Sequence, residues 1–305
     1  MIPDAIEVAP GLHRIPLPVA LPGFAGFISA WAYTAGPVLL VDPGPSATAD
    51  HLLTVLSRLG IRKPDLILLT HIHIDHAGGI GELARAFPRT PVVCHPKAVR
   101  HLIEPDRLWE GSLATLGDVA RRYGPIAPVP AAQILAADTL AEAPVRAVPT
   151  PGHAAHQYSY LVDDLLFAGE AGGVSIALAE GGHYLRPATP PPFRLEICLE
   201  SIDRLVALQP QRICYGHVGM RAQAVHWLNA HREQLQRWHR LIAEGCGPGR
   251  PDDARALEAC VDHLLAHDPL LASWPRLNAD DRERERFFLR NSVKGYWDYQ
   301  APKAH

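Results

Sequence analysis

The sequence predicts an α/β fold that carries a helical extension at its C-terminal end. Through residue 245, short apolar runs alternate with segments of helical spacing, a pattern typical of alternating strands and helices. From about Pro251 onward, the pattern is mostly helical and highly charged. We place the boundary at residues 245–250 (GCGPGR). Residues 1–245 then form the α/β domain, and residues 246–305 form a helical extension packed on it.

Buried strands are predicted where apolar runs end in turn residues, and helices where apolar residues recur every three or four positions. The predicted strands cover residues 38–42, 65–70, 91–95, 145–150, 158–162, 165–169 and 212–217. The predicted helices cover residues 47–59, 81–87, 97–103, 107–123, 194–208 and 223–244. Asp163 and Asp164 form a predicted hairpin turn. The Pro-rich segment 181–193 is predicted to be a loop, neither helix nor central strand.

Composition argues against several kinds of partner. The 29 basic and 32 acidic residues give a net charge of −3, which disfavours nucleic acid because phosphate binding needs clustered Lys and Arg. The first residues lack a basic start and a long apolar run, so we expect neither a secretory signal nor a membrane helix. The 5 cysteines are scattered, which predicts reduced, buried thiols. We therefore expect a cytoplasmic protein without a nucleic-acid or membrane partner.

A cluster of metal-binding residue types follows the second predicted strand. Residues 70–79 read THIHIDHAGG, and an extended backbone would place His71, His73 and Asp75 on one side. His76 begins the turn toward the two glycines. Neutral imidazole and carboxylate ligands suit Zn²⁺, Mn²⁺ and Fe²⁺. The segment therefore predicts a metal site at the end of a strand.

This segment resembles the HxHxDH signature of the metallo-β-lactamase superfamily. Four further segments resemble that family in the same order, and they are VDPG (41–44), PGH (151–153), FAGE (167–170) and YGH (215–217). The resemblance spans residues 41–217, which is most of the α/β domain but not the extension. It implies a four-layer αββα metallo-β-lactamase sandwich with a C-terminal helical extension.

The resemblance also implies two metal sites, holding two divalent ions that we expect to be zinc, with iron or manganese as alternatives. The first site would use His71, His73 and His153, and the second would use Asp75, His76 and His217. Glu170 matches the family's bridging carboxylate, although the commonest residue there is Asp. Asp75 would also orient the nucleophile. Asp42 resembles a residue that fixes the tautomer of a ligating histidine, and the alternative is a plain turn residue.

The implied activity is that of a dinuclear hydrolase that uses a metal-bound hydroxide on a small ester, thioester or lactone. Alternatives within the same superfamily are a glyoxalase-II-like thioesterase, a mononuclear iron persulfide dioxygenase and an RNA-processing nuclease. The net charge of −3 counts against the nuclease. A binding module that kept the fold without activity is disfavoured because all the ligand types are present. The expected partner is a small-molecule substrate.

Two further parts of the chain have interpretations that stay open at this level. His183 and Tyr184 lie in the Pro-rich segment, and we predict that they contact substrate because such loops often cap a site. The aromatic residues Phe24, Phe27, Trp31 and Tyr184 would line an apolar pocket or pack in the core. The segment RERERFFLR (282–290) predicts a solvated helix that packs on the rest of the chain through one apolar edge. The alternative is that this edge forms a homodimer contact.

Overall fold

The computed structural model describes residues 4–140, 144–178, 181–246 and 252–301, and two large β-sheets form its centre. The first sheet has the strand order β1-β2-β3-β4-β5-β6-β7, and its strands are β1 (Ile6–Ala9), β2 (Leu12–Pro18), β3 (Ala25–Tyr33), β4 (Leu39–Val41), β5 (Leu66–Leu68), β6 (Val92–Cys94) and β7 (Ile134–Ala136). Strands β1 to β4 pair antiparallel, whereas β4 to β7 pair parallel. The carboxyl ends of the parallel strands therefore share one edge.

The second sheet has the strand order β14-β13-β10-β9-β8, and its strands are β8 (Arg146–Pro149), β9 (Tyr158–Val162), β10 (Leu165–Gly169), β13 (Arg212–Tyr215) and β14 (Met220–Ala222). Strands β10 and β13 pair parallel, and β9 is antiparallel to both β8 and β10. Strands β8, β10 and β13 consequently end at the same edge. A separate two-stranded ribbon joins β11 (Val174–Ala177) to β12 (His183–Arg186).

Helices cover the outer faces of both sheets, so the predicted four-layer αββα arrangement is confirmed. The helices are α1 (Ala49–Arg58), α2 (Ile74–Ala77), α3 (Ile80–Ala86), α4 (Val99–Ile103), α5 (Asp106–Leu116), α6 (Asp118–Tyr123), α7 (Leu195–Ala207), α8 (Ala224–Gly245), α9 (Ala254–His267) and α10 (Ala279–Gln300). One buried apolar cluster joins the first sheet to α1, α3, α4 and α6. A second lies between the sheets, and a third joins the second sheet to α7 through α10.

The N-terminal strands β1, β2 and β3 were absent from the sequence prediction. Prolines occur in β2, and proline argues against a strand because it cannot donate to the ladder. In the structure the ladder between β2 and β3 shifts its register between Pro16 and Pro18, and Pro18 ends the strand. The chain therefore accommodates both prolines without losing the sheet.

Two other predictions about secondary structure were wrong in part. The single helix predicted over residues 107–123 is divided at Gly117, whose φ of 55° lies in the left-handed region that favours glycine. The segment predicted as a loop over residues 181–193 begins with β12. This strand contains no proline and pairs only in a two-stranded ribbon, so the rule against proline in central strands does not apply to it.

The C-terminal helices α9 and α10 pack on α8 and share its apolar cluster. The predicted boundary over residues 245–250 begins with the last residue of α8, and residues 247–251 lie outside the described part of the chain. The prediction of reduced thiols was wrong for two cysteines, because Cys246 and Cys260 form a disulfide between the end of α8 and α9. Cys94, Cys198 and Cys214 are free and buried, as predicted. None of the described helices has the length and apolar character needed to cross a membrane.

Candidate metal centre

The candidate ligands lie where strands of both sheets end at one edge. His71 and His73 follow β5, and Asp75 and His76 lie in the short helix α2. The buried side chains of Ile72 and Ile74 alternate with these residues and anchor the segment in the core. Because side chains alternate along an extended chain, the histidines are directed away from that core. The sequence THIHIDH thus places its polar residues at the sheet edge.

The other three candidate ligands come from the second sheet. His153 follows β8, Glu170 directly follows β10, and His217 follows β13. These strands run in the same direction, so their carboxyl ends meet at one edge. The structure therefore brings together all seven residues that the sequence analysis assigned to the metal sites, and it does so at the junction of the two sheets.

The candidate ligands form two groups of donor atoms. In the first group, Nδ1 of His73 lies 3.1 Å from Nε2 of His71 and 2.9 Å from Nε2 of His153. In the second group, Oδ2 of Asp75 lies 3.8 Å from Nε2 of His76 and 3.7 Å from Nε2 of His217. Within each group the donor atoms all lie within 4.8 Å of one another. Each group is therefore compact enough to surround one ion.

Glu170 lies between the two groups. Its Oε1 is 2.7 Å from Nε2 of His76 and 3.0 Å from Nε2 of His217, whereas its Oε2 is 3.6 Å from Nδ1 of His71. One carboxylate oxygen is thus directed toward the second group, and the other faces a histidine of the first. The contact with His71 is made to Nδ1, on the opposite side of the ring from the Nε2 that belongs to the first group, so Glu170 lies closest to the second group.

Hydrogen bonds orient three of the histidine rings. Oδ2 of Asp42 lies 3.0 Å from Nδ1 of His76, and the amide of Thr70 donates to Oδ1 of Asp42 at 2.8 Å. Nδ1 of His153 donates to the carbonyl oxygen of Ala188 at 2.8 Å. The Thr70 hydroxyl lies 3.1 Å from Nδ1 of His71. These contacts occupy Nδ1 and leave Nε2 of each ring for a metal ion. The structure therefore places Asp42 against a candidate ligand rather than in a plain turn.

Burial and charge set the protonation of the centre. Burial lowers the pKa of His71, His73 and His153, which favours the neutral imidazole that binds metal. Burial also lowers the pKa of His76, but Glu170, Asp75 and the hydrogen bond with Asp42 outweigh it and hold that pKa well above its usual value. Burial raises the pKa of Glu170, but His76 and His71 outweigh it and hold that pKa well below its usual value.

The centre fits divalent metal ions on its own geometry. Oε2 of Glu170 and Nδ1 of His217 are buried without a hydrogen-bond partner in the described part of the chain, and Oε1 of Glu170 lies against the nitrogens of His76 and His217. Buried polar atoms are nearly always satisfied in folded proteins, so a cluster of unsatisfied ones needs an explanation. Imidazole nitrogens and carboxylate oxygens within 4.8 Å of one another are the donor set that a first-row divalent ion uses.

The centre opens into a cavity of about 510 Å³. Much of its wall comes from the helix α5, the chain from Arg186 to Pro192, and the helix α10. Apolar side chains include Leu108 and Leu116 of α5 and Phe288 of α10. Tyr123, at the end of α6, also lines the cavity, and its hydroxyl is buried without a partner among the described residues. Sequence reasoning missed Tyr123 because no local motif surrounds it.

The structure does not bring His183 or Tyr184 to this cavity. Both belong to β12, and their pairing with β11 places them elsewhere. Tyr184 is fully buried beside Trp274, and the exposed His183 packs edge-on against Trp227. The predicted contact with substrate is therefore not supported by their positions. His156 lies closer, since its ring centroid is 5.7 Å from that of His73 and it lines the cavity.

Comparisons with known proteins agree with this architecture. The sequence profile of the metallo-β-lactamase superfamily matches residues 22–217. The metallo-β-lactamase fold-containing protein ST1585 of Sulfurisphaera tokodaii is 30% identical over 226 residues, which cover 69% of this chain and 79% of that protein. A hydroxyacylglutathione hydrolase of Xanthomonas campestris pv. campestris is 26% identical over 263 residues, which cover 82% of this chain and 86% of that protein.

Solved structures show the same fold. The crystal structure of the archaeal superfamily protein ST1585 from Sulfolobus tokodaii superposes with a TM-score of 0.66 at 23% identity, covering 94% of this chain and 98% of that one. The family protein TTHA1429 from Thermus thermophilus superposes with a TM-score of 0.63 at 23% identity, covering 96% and 94%. Both matches extend beyond residues 22–217, the part of the chain that the family profile covers.

Proposed function

Because this chain belongs to the metallo-β-lactamase superfamily, we propose that it is a hydrolase that uses two divalent ions, zinc in the first instance, to cleave a small ester, thioester or lactone. The observation that carries the proposal is the position of Glu170. Its Oε1 contacts His76 and His217 of the second group, and its Oε2 lies beside the ring of His71 of the first group, at the floor of an apolar cavity. His71, His73 and His153 would hold one ion, and Asp75, His76 and His217 would hold the other.

Such a pair of ions would supply a water-derived nucleophile at neutral pH and would polarise the oxygen of the bond to be cleaved. The protein would then contribute orientation and proton transfer. Asp75 is suited to this because it is less buried than the neighbouring ligands, with a side chain 16% exposed, and it lines the cavity. Its carboxylate can orient an attacking water and hold a proton at Oδ2.

Tyr123 supports binding of the substrate oxygen. The helix α6 that ends at Tyr123 packs on α2, which carries Asp75. Burial, with a smaller contribution from Asp75, holds the pKa of Tyr123 well above its usual value. The hydroxyl therefore stays protonated at neutral pH and remains a donor. Since it has no partner among the described residues, an oxygen of the substrate would satisfy it.

The relatives favour a thioester within the proposed substrate range. Hydroxyacylglutathione hydrolases occur repeatedly among the curated proteins that resemble this chain. One from Xylella fastidiosa is 30% identical over 183 residues, although this stretch covers only 55% of that protein. A cavity of about 510 Å³ is within the size range of sites for small molecules. A glyoxalase-II-like thioesterase is accordingly the first specific activity to assay.

The test combines metal analysis with a substrate panel. Purified protein should bind close to two ions per chain and hydrolyse at least one member of a panel of esters, lactones, thioesters and phosphodiesters. His71→Ala and His217→Ala should lose bound metal and hydrolysis. His226→Ala is the matched control, because His226 is exposed on α8 and packs on Trp227 away from the ligands. A constant content of one ion would contradict the dinuclear proposal. Full turnover by His71→Ala would show that the active site lies elsewhere.

A further inference from the structure

The charged side chains around the cavity are unevenly distributed. Apart from the candidate ligands Asp75 and Glu170, the titratable side chains of the described cavity wall that carry a full charge are both arginines, Arg107 and Arg186. The histidines His101 and His156 also line this wall, and they can add only positive charge or hydrogen-bond donors. The cavity outside the metal centre therefore suits a negatively charged group rather than a positively charged one.

The two arginines differ in what they are free to bind. Arg186 is buried and paired with Glu285 of α10, so its charge is already used within the fold. Arg107 is exposed at the start of α5 and makes no ion pair or hydrogen bond within the described ranges of the chain. A guanidinium presents five donors in a planar fork that matches a carboxylate. Arg107 is thus an unused anion-binding group on the cavity wall.

His101 adds a second donor beside Arg107. Nε of Arg100 donates to Nε2 of His101 at 3.3 Å, and this leaves Nδ1 of the neutral ring as an N–H donor. Burial lowers the pKa of His101, and the charges of Arg100 and Arg107 lower it further. The neutral ring therefore persists at pH 7. A neutral donor next to a guanidinium extends an anion site without adding repulsion between two cations.

The basic residues form a path that leads from the metal centre to α5. The ring of His156 lies 5.7 Å from that of His73. His101, in α4, lines the same wall farther from the ligands. Both histidines and Arg107 line the same cavity, with the apolar side chains of α5 alongside. A substrate that reacts at the metal centre could therefore extend along this wall to Arg107.

We propose that Arg107 and His101 form a subsite for a carboxylate group of the substrate. The proposal rests on the proposed hydrolase function. It narrows the substrates of that hydrolase to esters or thioesters that carry a carboxylate away from the scissile bond. The carboxylate binds the guanidinium of Arg107 and accepts a hydrogen bond from Nδ1 of His101. The chain between the carboxylate and the scissile bond lies against Leu108 and Leu116. An inorganic phosphate would present similar oxygen acceptors, so the test separates the two anions.

The test compares matched charged and neutral thioesters. The first pair is S-acetyl-3-mercaptopropionate and its amide, in which the carboxylate or amide is on the leaving thiol. The second pair is the monothioester of succinate with ethanethiol and its amide, in which the carboxylate or amide is on the acyl side. For the preferred carboxylate, Arg107→Gln should lower kcat/KM by about 10- to 100-fold, mainly through KM, and should leave the amide unchanged. Arg107→Lys should retain much of the preference for the carboxylate over the amide. Arg122→Gln, exposed on α6 and not part of the described cavity wall, is the matched control.

Each outcome decides the proposal. Equal kcat/KM for both members of each pair in the unmodified protein would overturn it, as would equal losses on acid and amide in Arg107→Gln. Calorimetric titration of the metal-loaded protein with succinate gives a readout that does not need turnover, and Arg107→Gln should bind succinate at least about 10-fold more weakly. Inorganic phosphate bound more tightly than succinate through Arg107 would overturn the carboxylate assignment. Absence of hydrolysis of every ester, lactone and thioester would contradict the proposed function, while the titration would still test the subsite.

Discussion

The ring of Phe27 stacks on the ring of His217, with centroids 4.4 Å apart and planes inclined by 19°. His217 differs from the other oriented histidines because its Nδ1 has no hydrogen-bond partner in the described residues. The stack therefore takes the place of the hydrogen bond that usually orients a ligating ring. On Phe27 in turn lies the guanidinium of Arg284, 3.9 Å from the ring centroid. The C-terminal helix α10 thus supports a candidate ligand through Phe27.

Phe27→Leu should weaken the second metal site. The smaller side chain removes the flat surface that holds the His217 ring, so we expect looser binding of the second ion and a lower kcat. Chelator titration monitored by metal content checks this. Phe193→Leu is the matched control, because Phe193 is fully buried but packs on Tyr296. Both variants should lose about 1–2 kcal/mol of unfolding free energy. Equal metal affinity in the two variants would contradict an orienting role for Phe27.

Asp42→Asn should lower metal affinity without unfolding the protein. Asn accepts a weaker hydrogen bond from Nδ1 of His76 than a carboxylate does, so the ring becomes a poorer ligand. We expect a 10- to 100-fold loss of affinity, as is typical for such partners, measured by competition with a chelator. The φ of Asp42 is 50°, a conformation that Asn also tolerates. Asp163→Asn is the control, with a φ of 52° in a hairpin away from the ligands, and it should leave affinity unchanged.

Two substitutions of Glu170, to Ala and to Asp, test whether its carboxylate binds a metal ion or only fills space. The Ala variant removes the carboxylate between the two groups, and we expect loss of the second ion and a fall in turnover of about 100-fold or more. The Asp variant keeps a carboxylate with a shorter reach, so it should retain activity with weaker binding of that ion. Metal content and steady-state kinetics measure both effects. An Ala variant that retains two ions and full turnover would show that Glu170 is not a ligand.

Tyr123→Phe should reduce turnover while leaving stability intact. The hydroxyl is buried without a partner among the described residues, so its removal costs no hydrogen bond there and should keep or raise the free energy of unfolding. If the hydroxyl donates to the substrate, kcat/KM should fall by about 5- to 10-fold, corresponding to one hydrogen bond. Kinetics and denaturant unfolding of the same preparation give the two readouts. Unchanged kcat/KM would exclude contact between this hydroxyl and the substrate.

Glu285→Gln should destabilise the docked C-terminal helix. Glu285 is fully buried and pairs with both Arg186 and Arg284. Its neutralisation leaves the buried guanidinium of Arg186 without a counter-charge, whereas Arg284 keeps its ion pair with Asp281. Removal of one partner of a buried pair typically costs about 3–5 kcal/mol, which denaturant unfolding can measure. Glu258→Gln is the control, because Glu258 pairs with Arg286 and Arg290 near the surface and should cost about 1 kcal/mol or less.

The buried carboxyl group of Glu285 also predicts how the stability of the protein depends on pH. Burial raises the pKa of Glu285, but Arg186 and Arg284 outweigh it and leave that pKa below its usual value. A carboxyl group with a lowered pKa in the folded state contributes stability that is complete above its unfolded pKa of about 4.3. That contribution is lost as the pH falls through the lower folded value. As the pH is lowered below about 4.3, the free energy of unfolding should therefore fall more steeply for the unmodified protein than for Glu285→Gln.

Several features of the metal centre were readable along the chain because they are local. THIHIDH couples two anchoring isoleucines to three histidines and an aspartate within one strand end and one turn, so spacing alone directs its polar side chains to a common side. His153, Glu170 and His217 each follow an apolar strand, and strands that run parallel must end at the same edge. His153, Glu170 and His217 were assigned to the centre through the resemblance to the metallo-β-lactamase superfamily, and the strand directions of the structure explain why they meet there.

The surroundings of that centre depend on contacts between distant segments. Phe27, Tyr123 and Arg284 come from three parts of the chain and have no shared motif, yet they meet around His217 and Asp75. His183 and Tyr184 do not line the described cavity for the same reason, since pairing of β12 with β11 directs them elsewhere. The disulfide between Cys246 and Cys260 likewise needs α8 and α9 to pack together. Side-chain spacing within THIHIDH and the family resemblance identify the candidate ligands, whereas packing of remote helices decides what surrounds them and what the cavity can bind.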